Sequence, residues 1–565
     1  MENLWSWISE LPYSDEWTES NAPLIYPIAT SKLHSQSKNI NNNNYQTGTI
    51  QLKAERTIDE PNSESFLKFS ICLLGFKTST NNEDDSLTLW VSETCPLTSE
   101  KPFLPFIMQL LQETISLSPT AQSSSICPRS QLKKLKPEPV SWILDSHSPE
   151  SFSTLFNLIF LTRLFFLCSF EAPLPEAGSF FFNTMLPPNM ETFSCNKTLP
   201  ILRTFFMSVG TDVEMSIMRT FGYMLTKWLI FKDVGLGLLP MLTPSNNDNY
   251  SSTLGFLYAA ESHGLWILKG YVPVKAAKLT ASFNGFHGNN KIQPFVIGAR
   301  ESVLKYALSH QMLEAVIQLE YSVEFFDGFI HVKARVDNIR LHVVTLGLQE
   351  GDGLLAEERY FPSKIRVWVG PEMGADYVGG LSLGLSTNNL EKEMESERIM
   401  KGDFGSKIPD VKIMARMGTK TKVKNWRWDQ DAEGNTVIFD SIMYDNASGM
   451  EVATWDPSKS NGGHGDNQLA TNLRRRYSGA NRGFTKKGGL VFAREEFGEG
   501  VGWRLNKEME GSVLKWRIGA QVCLTYWPND VNCSYYETRC IDWCDEVDLP
   551  LIPTKSSTTK SIDIE

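Results

Sequence analysis

The chain has 565 residues, 41% of them apolar and 21% charged, and carries a net charge of −11 at pH 7. A single hydrophobic core does not extend over such a length, so about three or four domains are expected. The composition is typical of a soluble globular protein, and the negative charge argues against nucleic-acid binding through the whole surface.

The first residues, Met1 to Ile8, lack both the basic segment and the long apolar segment of a secretory signal. Acidic residues such as Glu10 and Glu16 also disfavour an organellar transit peptide. Nine cysteines spread along the chain form no disulfide framework, which favours reduced thiols. The sequence therefore predicts a cytoplasmic or nuclear protein that is not secreted.

Residues 1–125 are predicted to form a small α+β region. Strand-like segments occur at residues 51–56, 66–73 and 87–91. A helix is expected from Pro102 to Leu117, with Ser99 as its N-cap. A proline-containing basic stretch at residues 120–140 then predicts a linker.

Residues 140–245 are predicted to be a helical region. Residues 155–168 are the most apolar segment, but Arg163 interrupts them, and a charge at the centre of a membrane span costs roughly 2.5–3.5 kcal/mol. A buried helix is therefore favoured over membrane association. A second helix is expected from Asp212 to Phe231, ending at Gly235, with methionine and aromatic residues facing the core.

Residues 253–350 are predicted to be antiparallel β. Asp327-Gly328 lies between two runs of alternating apolar and polar residues, a pattern typical of a β-hairpin. Ile317 to Phe325 supply the first apolar face, and Ile330 to Val336 supply the second. The alternation shifts by one residue at Asp337-Asn338, which predicts a bulge or bend.

Residues 360–550 are predicted to form a second antiparallel β region, followed by a disordered tail at 551–565. Short strands recur here about every eight to twelve residues between Gly, Asn and Asp turns, as in a sandwich or barrel. The glycines of residues 370–384 are interpreted as tight turns, because no helix follows to complete a phosphate loop. The predicted fold class is α+β, with a helical N-terminal half packed against an antiparallel β-sandwich or barrel-like C-terminal half.

Four residues are candidates for catalysis. His263 and Glu261 precede a strand and could share one of its faces. Asp429 and Asp542 belong to two acidic clusters beside tryptophans, where burial would raise a carboxyl pKa. In each case a structural position, at a turn or an edge, is the alternative interpretation.

Basic and aromatic residues alternate around residue 426 and predict a site for an anionic ligand. The candidate ligand-binding residues are Trp426, Trp428, Lys422, Lys424 and Arg427. A basic, glycine-rich loop at residues 459–487 could contribute, although a solvated β-face is the alternative. The spacing of Cys533, Cys540 and Cys544 fits a zinc site poorly, so no metal and no cofactor are predicted.

Three segments resemble an uncharacterised family of land-plant proteins. They are Trp368-Val369-Gly370-Pro371-Glu372-Met373-Gly374, Asn425-Trp426-Arg427-Trp428-Asp429 and the run from Glu537 to Pro550. The resemblance covers most of the chain and implies a plant origin. It implies no activity, cofactor or catalytic residue.

These patterns lead to one functional hypothesis and one rival. The leading hypothesis is a soluble binding or interaction protein that holds an unidentified small molecule or protein through its β-rich C-terminal region, without a nucleic-acid module or a transmembrane span. The rival is a cofactor-independent enzyme of the isomerase, cyclase or hydrolase type, with a β-walled apolar pocket. An enzyme would place His263 or an acidic cluster inside a deep cavity, whereas a binding protein would leave them solvated.

Overall fold

A computed structural model describes most of the chain in several stretches. The described residues are 3–11, 22–33, 46–59, 64–76, 86–121, 132–193, 199–238, 255–274, 310–347, 360–384, 392–401, 414–423, 426–444, 451–454, 489–493, 500–526 and 537–553.

The described helices lie mostly in the middle of the chain. They are α1 (Leu4–Ser9), α2 (Leu104–Ser116), α3 (Pro137–Ser146), α4 (Pro149–Phe166), α5 (Pro175–Phe180), α6 (Leu199–Val209) and α7 (Thr211–Leu238). Single π-helical turns follow α4 and α5, at Leu167–Glu171 and Phe181–Met185, and short 3-10 helices occur at Pro187–Phe193 and Lys507–Met509.

The strands on either side of these helices pair antiparallel wherever their register is defined. In chain order they are β1 (Leu24–Leu33), β2 (Gln46–Asp59), β3 (Glu64–Leu74), β4 (Leu87–Val91), β5 (Cys95–Pro96), β6 (Thr120–Ala121), β7 (Phe256–Ser262), β8 (Leu265–Val274), β9 (His310–Phe325), β10 (Phe329–Gly347), β11 (Phe361–Pro371), β12 (Val378–Ser382), β13 (Lys392–Lys401), β14 (Met414–Val423), β15 (Trp426–Glu433), β16 (Thr436–Met443), β17 (Gly489–Ala493), β18 (Val501–Asn506), β19 (Val513–Tyr526) and β20 (Glu537–Pro550). The described chain is thus α+β with extensive antiparallel sheet.

Contacts divide the chain into two compact units. The first unit contains Met1–Leu257, Gly270–Leu313 and Val344–Ala356. The second unit contains Tyr258–Lys269, Glu314–Val343 and Glu357–Glu565. The predicted α+β region and the predicted helical region therefore fall in one unit, and both predicted β regions contribute to the other.

The first unit combines a five-stranded sheet with the helices. Its strand order is β1-β2-β3-β4, and β5 pairs with β3. Alternate residues of β3 are fully buried, namely Leu67, Phe69 and Ile71. The ring of Phe69 stacks on Phe106 of α2 with centroids 4.4 Å apart, and Phe106 in turn contacts Phe156 of α4. Aromatic packing thus joins the sheet to both helices.

Helix α4 confirms the prediction of a buried helix around residues 155–168. Ser148 caps its N-terminus by accepting a 3.3 Å hydrogen bond from the Ser151 amide, and Pro149 occupies the first turn, where its missing amide costs nothing. The segment Pro149–Glu171 is long and apolar enough to cross a membrane, but 83% of its apolar window is buried inside the protein. It serves as a core helix in this fold.

Arg163 explains how a charge is accommodated within that apolar helix. Its side chain is only 7% exposed and pairs with two carboxylates, Glu113 of α2 and Glu171 of the following π-helical turn. The guanidinium donates to Glu171 over 2.6 Å, and the Trp90 indole donates to Glu113 over 3.0 Å. A buried charge is tolerated only when it is paired and hydrogen-bonded, and this network meets both conditions.

The second unit contains parts of two sheets. One sheet has the order β12-β18-β10-β9-β8-β7, with β17 also pairing with β10, and the other has the order β15-β16-β11-β19-β20. Their side chains meet in a core of indoles. Trp516 of β19 lies 5.6 Å from Trp266 of β8 and 4.8 Å from Trp503 of β18, measured between ring centroids, and all three are fully buried.

The hairpin predicted at Asp327-Gly328 is confirmed as β9 and β10. Ile317, Leu319, Ile330 and Val332 are fully buried, as the alternation requires. The buried positions change from even-numbered to odd-numbered residues between Val336 and Ile339, and β10 continues through this point as one strand. At this point the neighbour of β10 changes from β18 to β17, so the shifted pattern faces a different partner strand.

Several predicted details are wrong. Helices do not fill the N-terminal half, because strands β1 to β5 precede α2. Helix α2 begins after Phe103, so Ser99 is not its cap, and α7 continues through Gly235 to Leu238. Glycine lowers helix propensity by only about 1 kcal/mol, which a long helix tolerates.

The basic loop at 459–487 lies outside the described residues.

Replacing Trp516 by alanine should lower the free energy of unfolding by about 3–5 kcal/mol, because a large buried ring leaves a cavity between two sheets. Urea unfolding followed by circular dichroism measures the change. Trp142→Ala is the matched control, since that indole is 51% exposed, and its effect should stay within about 0.5 kcal/mol. Equal effects of the two substitutions would contradict the assignment of Trp516 to the core.

Arg163→Ala should destabilise the first unit by about 2–3 kcal/mol, since it leaves Glu113 and Glu171 without their cation. Arg163→Met combined with Glu113→Gln removes both charges of one pair and should recover part of this loss. Thermal unfolding of Arg163→Met, Glu113→Gln and the double variant tests the coupling between the two side chains. Additive losses would show that the ion pair contributes no interaction energy.

Candidate functional site

The tip of the β9–β10 hairpin combines aromatic and cationic side chains. The rings of Phe326 and Phe329 stack with centroids 4.7 Å apart, and the Arg504 guanidinium lies 4.3 Å from the Phe329 centroid. Lys507 donates to the Phe326 carbonyl over 2.9 Å and pairs with Glu510 over 2.8 Å. Phe325, Phe326 and Phe329 are each only half-buried at this tip.

The strand register brings other turns of the second unit to the same end as this tip. Phe329 pairs with Asn506, so the β18–β19 connection lies beside the hairpin turn. Val378 pairs with Leu505, Pro371 pairs with Trp516, and Val513 pairs with Pro550. We define the loop end as residues 326–328, 372–377, 433–436, 507–513 and 551–552.

Backbone hydrogen bonds tie these connections together. The Asn506 amide donates to the Tyr377 carbonyl over 2.8 Å, and the Gly511 amide donates to the Leu551 carbonyl over the same distance. Gly370 approaches Thr436 so closely that a Cβ there would lie 2.8 Å from the Thr436 Cα. The β15–β16 turn therefore joins the loop end as well.

Exposed apolar side chains gather at the loop end. Met373 is 87% exposed, Ile552 is 57% exposed and Val513 is 53% exposed. Single exposed apolar residues are ordinary on protein surfaces. Here they come from three separate segments, the β11–β12 connection, the start of β19 and the residues after β20. They lie at the same end of the unit as the half-buried phenylalanines, a grouping that is typical of interaction sites.

Carboxylates outnumber cations at the loop end. The exposed acidic residues there are Asp327, Glu372, Asp376, Glu433, Glu508 and Glu510, and among them only Glu510 forms an ion pair with a described residue. The cations are already engaged, Lys507 with Glu510 and Arg504 with the face of Phe329. Burial raises the pKa of Tyr377 in the same region, and the neighbouring Glu372 raises it further.

His263 and Glu261 lie at the β7–β8 turn, set back from the hairpin tip. His263 is exposed, has a φ of +51°, and its Nδ1 lies 2.9 Å from the Ser262 hydroxyl. Glu261 accepts a 2.9 Å hydrogen bond from Tyr321 and a 3.3 Å bond from the Gly264 amide. Burial raises the pKa of Tyr321, and the bond to Glu261 raises it further. Glu261 thus has a structural role in this turn.

Asp429 and Asp542 lie at the surface of the other sheet. Asp429 is half-exposed on β15 and pairs with Arg427 over 2.9 Å. Asp542 is exposed on β20. The enzyme hypothesis placed His263 or an acidic cluster inside a deep cavity, whereas His263 and Asp542 are exposed and Asp429 is half-exposed.

Trp426 and Trp428 are part of the core. Each indole is only 7% exposed, and both contact the ring of Phe492 on β17 at centroid distances of 5.4 and 5.0 Å. Strand alternation explains the result, because these two residues share the inward face while Arg427 points outward. The predicted open face of tryptophans is therefore wrong. Lys424 and the side chain of Lys422 lie outside the described residues.

His331 lies on β10 close to the hairpin tip. Burial lowers its pKa and nearby Lys333 lowers it further, whereas Glu324, at 3.8 Å, acts in the opposite direction. Burial and Lys333 thus favour the neutral imidazole. Among the described residues no three His, Cys, Asp or Glu side chains gather as a metal site.

Cysteines supply structure in the described part of the chain. Cys523 and Cys540 are register partners on β19 and β20 and form a disulfide, so the prediction of reduced thiols is wrong for this pair. Cys72, Cys95 and Cys168 are buried thiols. Burial raises the pKa of Cys168 to about 12, an effect that Arg163 opposes, which leaves the thiol protonated and unreactive.

A cavity of about 390 Å³ lies in the first unit. Its lining residues are Gln112, Glu113, Ser116, Leu132 and Lys133. None of them is a residue that the sequence patterns singled out as a site. Glu113 is already engaged by Arg163 and Trp90, so its charge serves the fold.

Sequence patterns missed the loop end as a site. Met373 was part of a glycine-rich stretch that predicted tight turns, and the structure confirms a turn between β11 and β12. Val513 is the first residue of strand β19, and Ile552 follows strand β20. Apolar residues at such positions look like ordinary parts of a sheet. An apolar residue placed within a turn, as Met373 is, was the available signal.

The chain matches no protein-family model and no curated protein sequence. Among solved structures, Clostridium perfringens delta-toxin aligns with 52% of this chain and 96% of its own, at 10% identity and a TM-score of 0.19. The Clostridium perfringens NetB toxin in its membrane-inserted form aligns with 52% of this chain and 94% of its own, at 11% identity and a TM-score of 0.17. Similarity at this level supports neither a shared fold nor a shared function.

The positive φ of His263 generates a test of its role. His263→Gly should leave the free energy of unfolding unchanged or raise it by up to about 1 kcal/mol, because glycine adopts this conformation without strain. His263→Val should lower it by about 1–2 kcal/mol, since a β-branched residue resists positive φ. Chemical unfolding of both variants measures the difference. Equal destabilisation by both would instead assign the imidazole itself a stabilising contact.

Proposed function

We propose that the protein is a plant binding or interaction protein that contacts its partner through the loop end of the second unit. The exposed apolar side chains of Met373, Val513 and Ile552 carry this proposal. Fully burying a side chain of this size contributes roughly 1.5–3 kcal/mol, so covering the three together could support a stable complex.

The scaffold beneath these connections supports the same proposal. Connections that vary in sequence are commonly used for binding when a rigid sheet positions them. In the second unit we propose a sandwich-like arrangement of the two sheets around Trp266, Trp503 and Trp516, with the loop end as its binding end. The hydrogen bonds among the connections reduce the ordering cost of association.

The cellular location is also a proposal, namely the cytoplasm or nucleus. The buried thiols Cys72, Cys95 and Cys168 fit a reducing compartment. A disulfide between Cys523 and Cys540 is more typical of an oxidising one. Thiol labelling of protein taken from native tissue distinguishes the two locations by the state of this pair.

A comparison of two matched variants tests the binding proposal. The loop-end variant is M373S/V513S/I552S, and the control is M207S/V491S/I58S, whose side chains are 61%, 51% and 52% exposed at other positions. Affinity capture from plant tissue, quantified by mass spectrometry, should show specific partners lost at least tenfold from the loop-end variant only. Circular dichroism verifies that both variants are folded.

Two results of this experiment would oppose the proposal. Partners lost equally from both variants would place the contact outside the loop end. Recovery of a small molecule that is chemically changed on incubation with the purified protein would favour an enzyme instead.

A further inference from the structure

The charge of the loop end restricts the kind of partner it fits. Asp327, Glu372, Asp376, Glu433 and Glu508 are exposed at the same end of the unit as Met373, Val513 and Ile552, and none of the five forms an ion pair with a described residue. Of the nearby cations, Lys507 pairs with Glu510 and the Arg504 guanidinium lies over the ring of Phe329, so carboxylates remain in excess. A partner thus meets exposed apolar groups and an excess of carboxylates at the same end of the unit.

We infer that the loop end docks a protein partner whose surface presents apolar side chains bordered by lysine and arginine. This inference rests on the proposed function and adds the chemistry of the partner. Opposite potentials on two surfaces accelerate their encounter and suppress wrong partners, while apolar contact at the centre supplies affinity.

The same charges disfavour a membrane as the occupant. Cytoplasmic leaflets carry anionic lipids and attract basic segments, whereas the loop end would meet them with unpaired carboxylates. Glu372, Asp376 and Met373 lie in one short connection, so inserting the apolar side chain would bring both acids to the lipid headgroups. A protein with a basic border meets no such repulsion.

A synthetic probe tests the inference with the full chain. The probe is a fluorescent amphipathic peptide of leucine and lysine, and its companion has glutamate at every lysine position. Anisotropy titrations should show binding of the lysine peptide only. Its affinity should fall about tenfold or more between about 0.05 and 0.5 M salt, because exposed charges are screened within a Debye length.

Matched charge variants locate the contact. E372Q/D376N/E508Q should weaken binding of the lysine peptide about five- to tenfold, because it removes three carboxylates from the loop end. E55Q/E100Q/D542N removes the same number and type of exposed acids elsewhere and should change the affinity less than twofold. Both variants have the same net charge, so non-specific attraction to an acidic protein affects them equally.

The outcomes separate this inference from the proposed function. Equal weakening by both charge variants, or tight binding of the glutamate peptide, overturns the basic partner. Binding of the chain to phosphatidylserine vesicles that is lost in M373S/V513S/I552S would replace it with a membrane. If native partners are lost from M373S/V513S/I552S but retained by E372Q/D376N/E508Q, the binding function stands and only the charge inference fails.

Discussion

The packing of three indoles between two sheets is the constraint on which the second unit depends. Trp516 contacts both Trp266 and Trp503, and these residues belong to β19, β8 and β18 respectively. The N–H of Trp266 donates to the Asp548 carbonyl over 3.1 Å, and that of Trp503 donates to the Asn435 carbonyl over 2.8 Å. Each bond satisfies a buried donor at a backbone carbonyl near the loop end.

This packing has a consequence for function. The indoles hold the strands in register against one another, so the connections at their ends meet in a fixed arrangement. Apolar side chains such as Met373 and Ile552 are then displayed by backbone segments that each hydrogen-bond to residues 506–511. A surface organised in this way loses little conformational entropy when a partner covers it.

The first unit depends on a different interaction, the pairing of a buried charge. Arg163 lies in a long apolar helix, and Glu113 of a neighbouring helix and Glu171 of a π-helical turn offset its desolvation. The arrangement identifies α4 as a core helix. It also joins α2, α4 and, through the Trp90 indole, strand β4 in one polar network within an aromatic core.

The sequence by itself determined the local structure wherever periodicity was strong. Alternation around Asp327-Gly328 predicted β9 and β10, and the apolar run around Arg163 predicted a buried helix, because burial of one face requires a regular pattern. The sites depended on tertiary structure. Whether Trp426 and Trp428 face solvent or Phe492, and whether Met373 is covered, follows from which strands become neighbours. Strand pairing joins residues far apart in the chain, so no local pattern contains that information.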